Sequence, residues 1–318
     1  MRKAILASLL LGIFCVAGRA QSQAAPTSDS LLFTLKPLGH NVYAAIDKPR
    51  SSAGSNAGFV IGDDGVLVVD TFQDAKAAEQ LLAEIRKLTN LPVKFVVNTH
   101  YHLDHVTGNG VFAKEGAVIL AQKNVRAWIH TENLKFFGAG IKPEQKAWID
   151  GLVAPSVGYT DAVEIYLGSR KILVRYFLGH TGGDSVVSIP DADVVFCGDL
   201  FWNHTLPNLI DASTEKWIAS DHKLAEESPG GTFVPGHGEV GTAADVTALA
   251  GYITDLRAAL AQPVKDGLQD DALANAVLPK LKEKYGDWNY FDHFAKRNIL
   301  DTAKELRGEK KIPQSPAN

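Results

Sequence analysis

A chain of 318 residues with 46% apolar and 21% charged side chains can bury a large core, which excludes a disordered or fibrous protein. Its formal net charge of -4 offers no long-range attraction to nucleic acid. No run of Lys and Arg interleaved with aromatics offsets that balance, so a polynucleotide partner is disfavoured.

In chain order, the first segment pairs Arg2 and Lys3 with an apolar run from Ala4 to Ala17 and the small-residue end Gly18-Arg19-Ala20. That is the pattern of a signal peptide over residues 1–20, and it leads to an expected periplasmic or secreted location. The apolar run is shorter than the roughly 20 residues a spanning helix needs, so no stable membrane span is expected after cleavage. Cleavage would also remove Cys15 and leave Cys197 alone, so no internal disulfide is expected and stability must come from the core and any bound metal.

After a polar spacer at 21–30 come β-rich runs at Val42 to Ile46 and Phe59 to Ile61, a turn at Asp63-Asp64-Gly65, and Val66 to Val69 ending at Asp70. The last two runs and their turn read as a hairpin. Ala77, Leu81, Leu82, Ile85 and Leu88 recur at helical spacing within 74–88. Val93 to Val97 then reads as a buried strand that delivers Asn98, Thr99 and His100. The region 122–150 is expected to be helical and to cover a site. It carries Trp128, Phe136, Phe137 and Trp148, which at helical spacing more often belong to a core than to a pocket mouth. Strands are expected again at 163–167, 172–177, 186–189, 194–197 and 232–234. Helices are expected at 214–227, 243–261 and from 271 onward. A hairpin, a helix and a strand ending in histidine occur twice, closing on His100 and on His237. Two such halves face to face would make an α+β fold, a four-layer αββα sandwich.

The chemistry is concentrated in His100-Tyr101-His102-Leu103-Asp104-His105, three imidazoles and a carboxylate placed just after an apolar strand. Such a donor set suits zinc, with iron or manganese as alternatives. A turn this short presents two groups to each of two ions more readily than four to one. Gly179-His180, Gly198-Asp199 and Gly236-His237 also follow strands, and each glycine allows a sharp turn toward a crowded site.

These motifs resemble the metallo-β-lactamase superfamily, with its H-x-H-x-D-H loop followed by single His, Asp and His ligands. The resemblance runs from about Leu31 to Val240. It implies His100, His102 and His180 on a first zinc, Asp104, His105 and His237 on a second, and Asp199 bridging both. Asp70 would orient the histidine loop, or merely close its hairpin. Cys197 should share the strand face of Asp199, with a buried apolar role. A bridging carboxylate resembles glyoxalase II, lactonases and related hydrolases more than the zinc β-lactamases. The stretch Gly198 to Phe201 with Pro207, Asp211 to Ser213 and Trp217 resembles the periplasmic quinoprotein relay zinc metallohydrolases.

The resemblance implies a metallo-β-lactamase-type catalytic domain over 31–262 and a helical C-terminal extension over 263–318. It also implies two Zn2+ per chain and a small-molecule substrate. The expected reaction is hydrolysis of an ester, lactone, thioester or lactam, with Asp104 and Asp199 as the catalytic carboxylates. The competing implied readings are a mononuclear iron persulfide dioxygenase-like oxidoreductase, a β-lactamase with an atypical bridging Asp, and a noncatalytic zinc protein. Asn203 and His204 stand close enough to Asp199 to reach a substrate, though a capped loop explains them better. Tyr101 and Thr181 adjoin ligands, and His40, His130, His222 and His293 carry no pattern.

Overall fold

The computed structural model describes residues 31–313. The expected signal peptide, the spacer, Cys15 and residues 314–318 lie outside the described residues. The first sheet comprises β1 (Phe33–Gly39), β2 (Val42–Asp47), β3 (Ala57–Ile61), β4 (Val66–Val69), β5 (Val93–Val97), β6 (Val118–Gln122) and β7 (Val157–Tyr159), in sequence order. The second comprises β8 (Ala162–Leu167), β9 (Arg170–Phe177), β10 (Asp184–Ile189), β11 (Val194–Trp202) and β12 (Thr232–His237), ordered β12-β11-β10-β9-β8.

Burial on both faces explains why several strands read as unbroken apolar runs. In β4, Val66 and Val68 pack outward among α1 (Ala75–Leu88), while Leu67 and Val69 join the seam between the sheets. Short helices α2 (Leu103–Val106), α3 (Asn109–Lys114) and α4 (Lys123–Trp128) follow, and α3 lies beside α1 on the outer face. A 3-10 stretch (Glu132–Gly140) and α5 (Pro143–Asp150) complete the cover over the strand ends. On the far side α6 (Thr214–Glu227), α7 (Ala243–Lys265), α8 (Asp270–Tyr285) and α9 (Phe291–Leu306) bury Leu249, Ile253 and Leu256 with Phe201 and Phe233 of the second sheet. The result is the expected αββα sandwich.

The repeated half is visible in the strand directions. Hairpin β3–β4 is followed by α1 and by β5 running parallel to β4. Hairpin β10–β11 is followed by α6 and by β12 running parallel to β11. Both halves therefore point the C-terminal ends of their parallel strands at one place.

Several elements depart from expectation. The strands β1, β6 and β7 were not foreseen. β1 is an edge strand carrying Lys36 and Pro37 and lacks clean alternation, and β7 is only three residues, Val157–Tyr159. Helix α7 continues through the expected boundary at 262/263, with Pro263 in its last turn. There the missing proline N–H removes one bond just before the helix ends. The sharpest correction concerns β11. A register shift between Phe196 and Gly198, with Gly198 at φ 51°, breaks the alternation expected to put Cys197 and Asp199 on one face. Cys197 stays buried in the helix-side core, while Asp199 turns toward the histidines.

Buried Asn298 ties α9 to the loop after β11. Its Nδ2 donates to Pro207 O (2.9 Å) and Tyr252 Oη (3.0 Å), and its Oδ1 accepts from Leu209 N (3.3 Å). Asn298→Ala strands these groups and should cost about 1–3 kcal/mol in urea unfolding. A loss within experimental error would show that the loop is held by other contacts.

Candidate metal centre

The seven predicted ligands gather where β5, β9, β11 and β12 converge: His100 and His102 follow β5, Asp104 and His105 lie in α2, His180 follows β9, Asp199 lies within β11 and His237 ends β12. The donor atoms of His100, His102, His180 and Asp199 lie within 4.8 Å of one another, as do those of Asp104, His105 and His237. Asp199 faces both groups with different oxygens. Oδ2 is 3.2 Å from His180 Nε2 and 3.7 Å from His100 Nε2. Oδ1 is 3.1 Å from His105 Nε2 and 3.4 Å from His237 Nε2.

Supporting contacts choose which nitrogen of each imidazole faces inward. Asp70, at φ 58°, accepts from Thr99 N (2.8 Å) and Thr99 Oγ1 (2.7 Å) and from His105 Nδ1 (2.8 Å). It therefore orients the histidine loop, the first of its two expected roles. Thr99 Oγ1 lies 3.1 Å from His100 Nδ1, leaving Nε2 toward the centre. His102 is reversed: its Nε2 pairs with Asp211 Oδ2 (3.0 Å), and its Nδ1 stands 3.0 Å from His180 Nε2. Trp202 stacks on the His237 ring at 3.8 Å.

The backbone is pinned from the other half of the fold. Buried Asn56 donates through Nδ2 to Pro235 O and Gly238 O, both at 2.9 Å. Its N–H donates to Gly236 O at 2.7 Å. Gly236 is required by contact, since a Cβ there would stand 1.9 Å from Asp199 Oδ1.

Charge divides the two groups. Burial, with the neighbouring imidazole of His105, holds His100 well below the ordinary histidine range, and burial takes His180 down to about 3. Both are neutral imidazoles at pH 7. Burial opposes charge on His237 and His105 too, but nearby carboxylates win. Asp199 and Asp104 push His237 up to about 9, and these two with Asp70 hold His105 well above its usual range. Burial likewise opposes ionisation of Asp199, and the surrounding imidazoles nevertheless hold it well below the carboxylate range.

Buried His100 Nε2, His105 Nε2, His237 Nε2 and Asp199 Oδ1 have no hydrogen-bond partner among the described residues. Burying so many unpartnered polar atoms is costly. Divalent cations between them would satisfy every one, so the donor set fits a pair of metal ions.

A model of the metallo-beta-lactamase superfamily matches residues 53–237. The chain belongs to this superfamily. It is 24% identical over 211 residues to the linear primary-alkylsulfatase of a Pseudomonas strain, covering 55% of this chain and 40% of that one. It is 24% identical over 257 residues to the 2,4-dinitroanisole O-demethylase subunit alpha of a Nocardioides strain, covering 75% and 70%. It is also 31% identical over 162 residues to the hydroxyacylglutathione hydrolase of Brucella anthropi, covering 51% and 52%. The metallo-beta-lactamase structure from Pontibacter korlensis matches with a TM-score of 0.57 at 22% identity, covering 69% of this chain and 99% of that one.

The other sequence candidates separate cleanly. Tyr101 is buried and donates to Asp211 Oδ2 (2.6 Å). Thr181 closes a local turn on Asp184, and His130 contacts Leu152 O. Asn203 donates to Glu239 O, and with His204 it lines a cavity beyond His237. Trp128 is core against Tyr101; Phe136 lines the cavity over the centre, and Phe137 and Trp148 line it while also packing on the small core around Leu103 and Ile149.

Sequence reasoning missed Lys135 and did not give Asp211 a role. Lys135 Nζ donates to Asp211 and to Tyr101 Oη (3.0 Å). Burial works against charge on Asp211, but His102 and Lys135 hold its carboxyl below the usual range. Asp211→Asn should weaken metal binding about 10–100-fold, measured by competition with a chromophoric chelator. Unchanged affinity would remove Asp211 from the support of His102.

The raised His237 also sets a pH trend. Its charged pairing stabilises the metal-free fold fully below its unfolded value near 6.5 and is lost as pH rises through about 9. The melting temperature of the metal-free chain should therefore fall between pH 6.5 and 9. A rise across that window would contradict the pairing.

Proposed function

We propose that the protein is an exported dinuclear zinc hydrolase acting on an ester, lactone, thioester or lactam of a small molecule. The observation that carries this reading is the split carboxylate of Asp199, with one oxygen toward each ligand group. Imidazole-rich donors favour zinc among common divalent ions. The N-terminal pattern of Arg2, Lys3, an apolar run and Ala20 supports export. Relatives named as a hydrolase, a sulfatase and a metallo-beta-lactamase support cleavage of a polar bond.

His100, His102 and His180 would hold one ion, Asp104, His105 and His237 the other, and Asp199 both. When bound, such ions supply Lewis-acid polarisation of a carbonyl and activation of water at neutral pH. The chain contributes orientation. The Asp104 side chain is about a quarter exposed and keeps Oδ2 3.3 Å from His237 Nε2. That places it at the cavity floor, where it can accept a hydrogen bond from an incoming water and aim a lone pair at the substrate carbonyl. The buried histidines His100 and His180 stay neutral, so they add no proton competition at the centre.

Elemental analysis of the purified chain should find two zinc ions. Zinc-loaded protein should hydrolyse at least one member of a panel of aryl esters, thioesters, homoserine lactones and β-lactams. Asp199→Asn should lose both ions and lower the best turnover by about two orders of magnitude or more. Full zinc and full rate in that variant would refute the bridge, and a single iron with oxygen consumption would refute the zinc hydrolase.

A further inference from the structure

The cleft over the centre has two unlike lobes. One, of about 480 Å3, is walled by Phe136, Phe137 and Trp148 from the helical cover and by Tyr290 and Phe294 from α9 and the residue before it. The other, also about 480 Å3, carries charged and polar side chains such as Asp47, Arg50 and Glu239 and shares His237 and Tyr290 with the first. Tyr290 therefore stands at the junction.

The aromatic wall is continuous with the ligands. Phe136 meets His102 edge-on at 5.1 Å, and Trp202 stacks on His237 and meets Phe294 edge-on at 6.1 Å. Phe136 and Tyr290 are 37% and 54% exposed, unusually open for large rings flanking a buried centre. No Lys or Arg lines this lobe. Lys135, whose Nζ lies 5.7 Å from the Phe136 ring centroid, bonds Asp211 and Tyr101. The remaining polar lining away from the ligands includes the amides Gln73 and Asn208 and the imidazole of His293, which meets Phe294 edge-on at 4.5 Å.

Tyr290 is held at φ 60°, a left-handed value that costs a bulky residue. The backbone bonds Asn289 N to His204 O (3.0 Å) and Leu206 N to Asn289 O (2.9 Å) fix that approach. The α9 wall lies beyond residue 237, where the superfamily match ends. The side of the cleft it forms thus lies outside the region matched by the superfamily model.

We propose that the aromatic lobe is the substrate-recognition subsite and takes an uncharged aromatic or bulky apolar group, with Phe294 and Phe136 setting that preference. This rests on the hydrolase reading for the word substrate, but the binding preference itself does not require turnover. An anionic group lodged against Phe136, Phe137, Trp148 and Phe294 would lose its hydration with no Lys or Arg in the lining to replace it. An uncharged ring would stack on the walls and bury apolar surface.

Acetophenone and 4-acetylbenzenesulfonate, a matched neutral and anionic pair, test this on the zinc-loaded full chain through quenching of tryptophan fluorescence. Acetophenone should bind saturably and at least about tenfold more tightly than the sulfonate. Phe294→Ala should weaken acetophenone about tenfold or more without releasing zinc. Phe136→Ala on the opposite wall should do the same, and Phe294→Leu should recover part of the loss. Equal or tighter binding of the sulfonate, or unchanged acetophenone binding in both alanine variants with zinc retained, would overturn the proposal. Selective binding without hydrolysis of any panel substrate would overturn the hydrolase reading and leave the subsite standing. Turnover without neutral-ligand selectivity would do the reverse.

Discussion

The interaction on which the rest of the structure depends is the division of one buried carboxylate between two sets of imidazoles. Asp199 is 3% exposed, and ionised carboxylates do not remain in such places unpaired. His180 and His100 face one of its oxygens, and His105 and His237 face the other. That arrangement needs ligands from both halves of the sandwich to converge on one side chain, and the fold is organised to bring them there. The parallel pairs β4–β5 and β11–β12 deliver the histidine loop, Asp199 and His237 to a common edge. The kink at Gly198 and the absence of a side chain at Gly236 give Asp199 the room to reach the middle.

Around this core stands a second tier that fixes direction rather than supplying ligands. Asp70 holds His105 from one side of the centre and Asp211 holds His102 from the other. The two differ in what they connect. Asp70 is tied to Thr99 within the first sheet, a rigid support. Asp211 is tied to Lys135, the residue before Phe136 in the cover. The orientation of His102 is therefore mechanically joined to a wall of the cleft over the centre. Asn298 carries the same logic to the far side, since the loop bearing Asp211 is clamped to α9, whose first turn forms the opposite wall.

The sequence made much of this legible because its ligands come as short contiguous signals. His100 to His105 occupy one short stretch, and His180, Asp199 and His237 each follow a glycine after an apolar run. The repeat of hairpin, helix and strand was readable because both halves use the same apolar periodicity. Edge strand β1 was hidden by Lys36 and Pro37, and β7 by its length. The face of Cys197 was misjudged because a bulge leaves no mark in a hydrophobic pattern. Lys135, Asp211 and the α9 wall escaped for a different reason. A salt bridge between residues 76 positions apart, or an aromatic ring brought in by a distant helix, has no local spacing to betray it. Phe136, Phe137 and Trp148 show the same limit, since helical spacing cannot separate a core ring from a cleft ring.

The central claim is tested most directly by a crystal structure of the zinc-loaded chain with anomalous data at the zinc edge. The account predicts two anomalous peaks, one beside His100, His102 and His180 and one beside Asp104, His105 and His237, with different Asp199 oxygens directed at each. A single peak, or two peaks with Asp199 bound to only one of them, would contradict it.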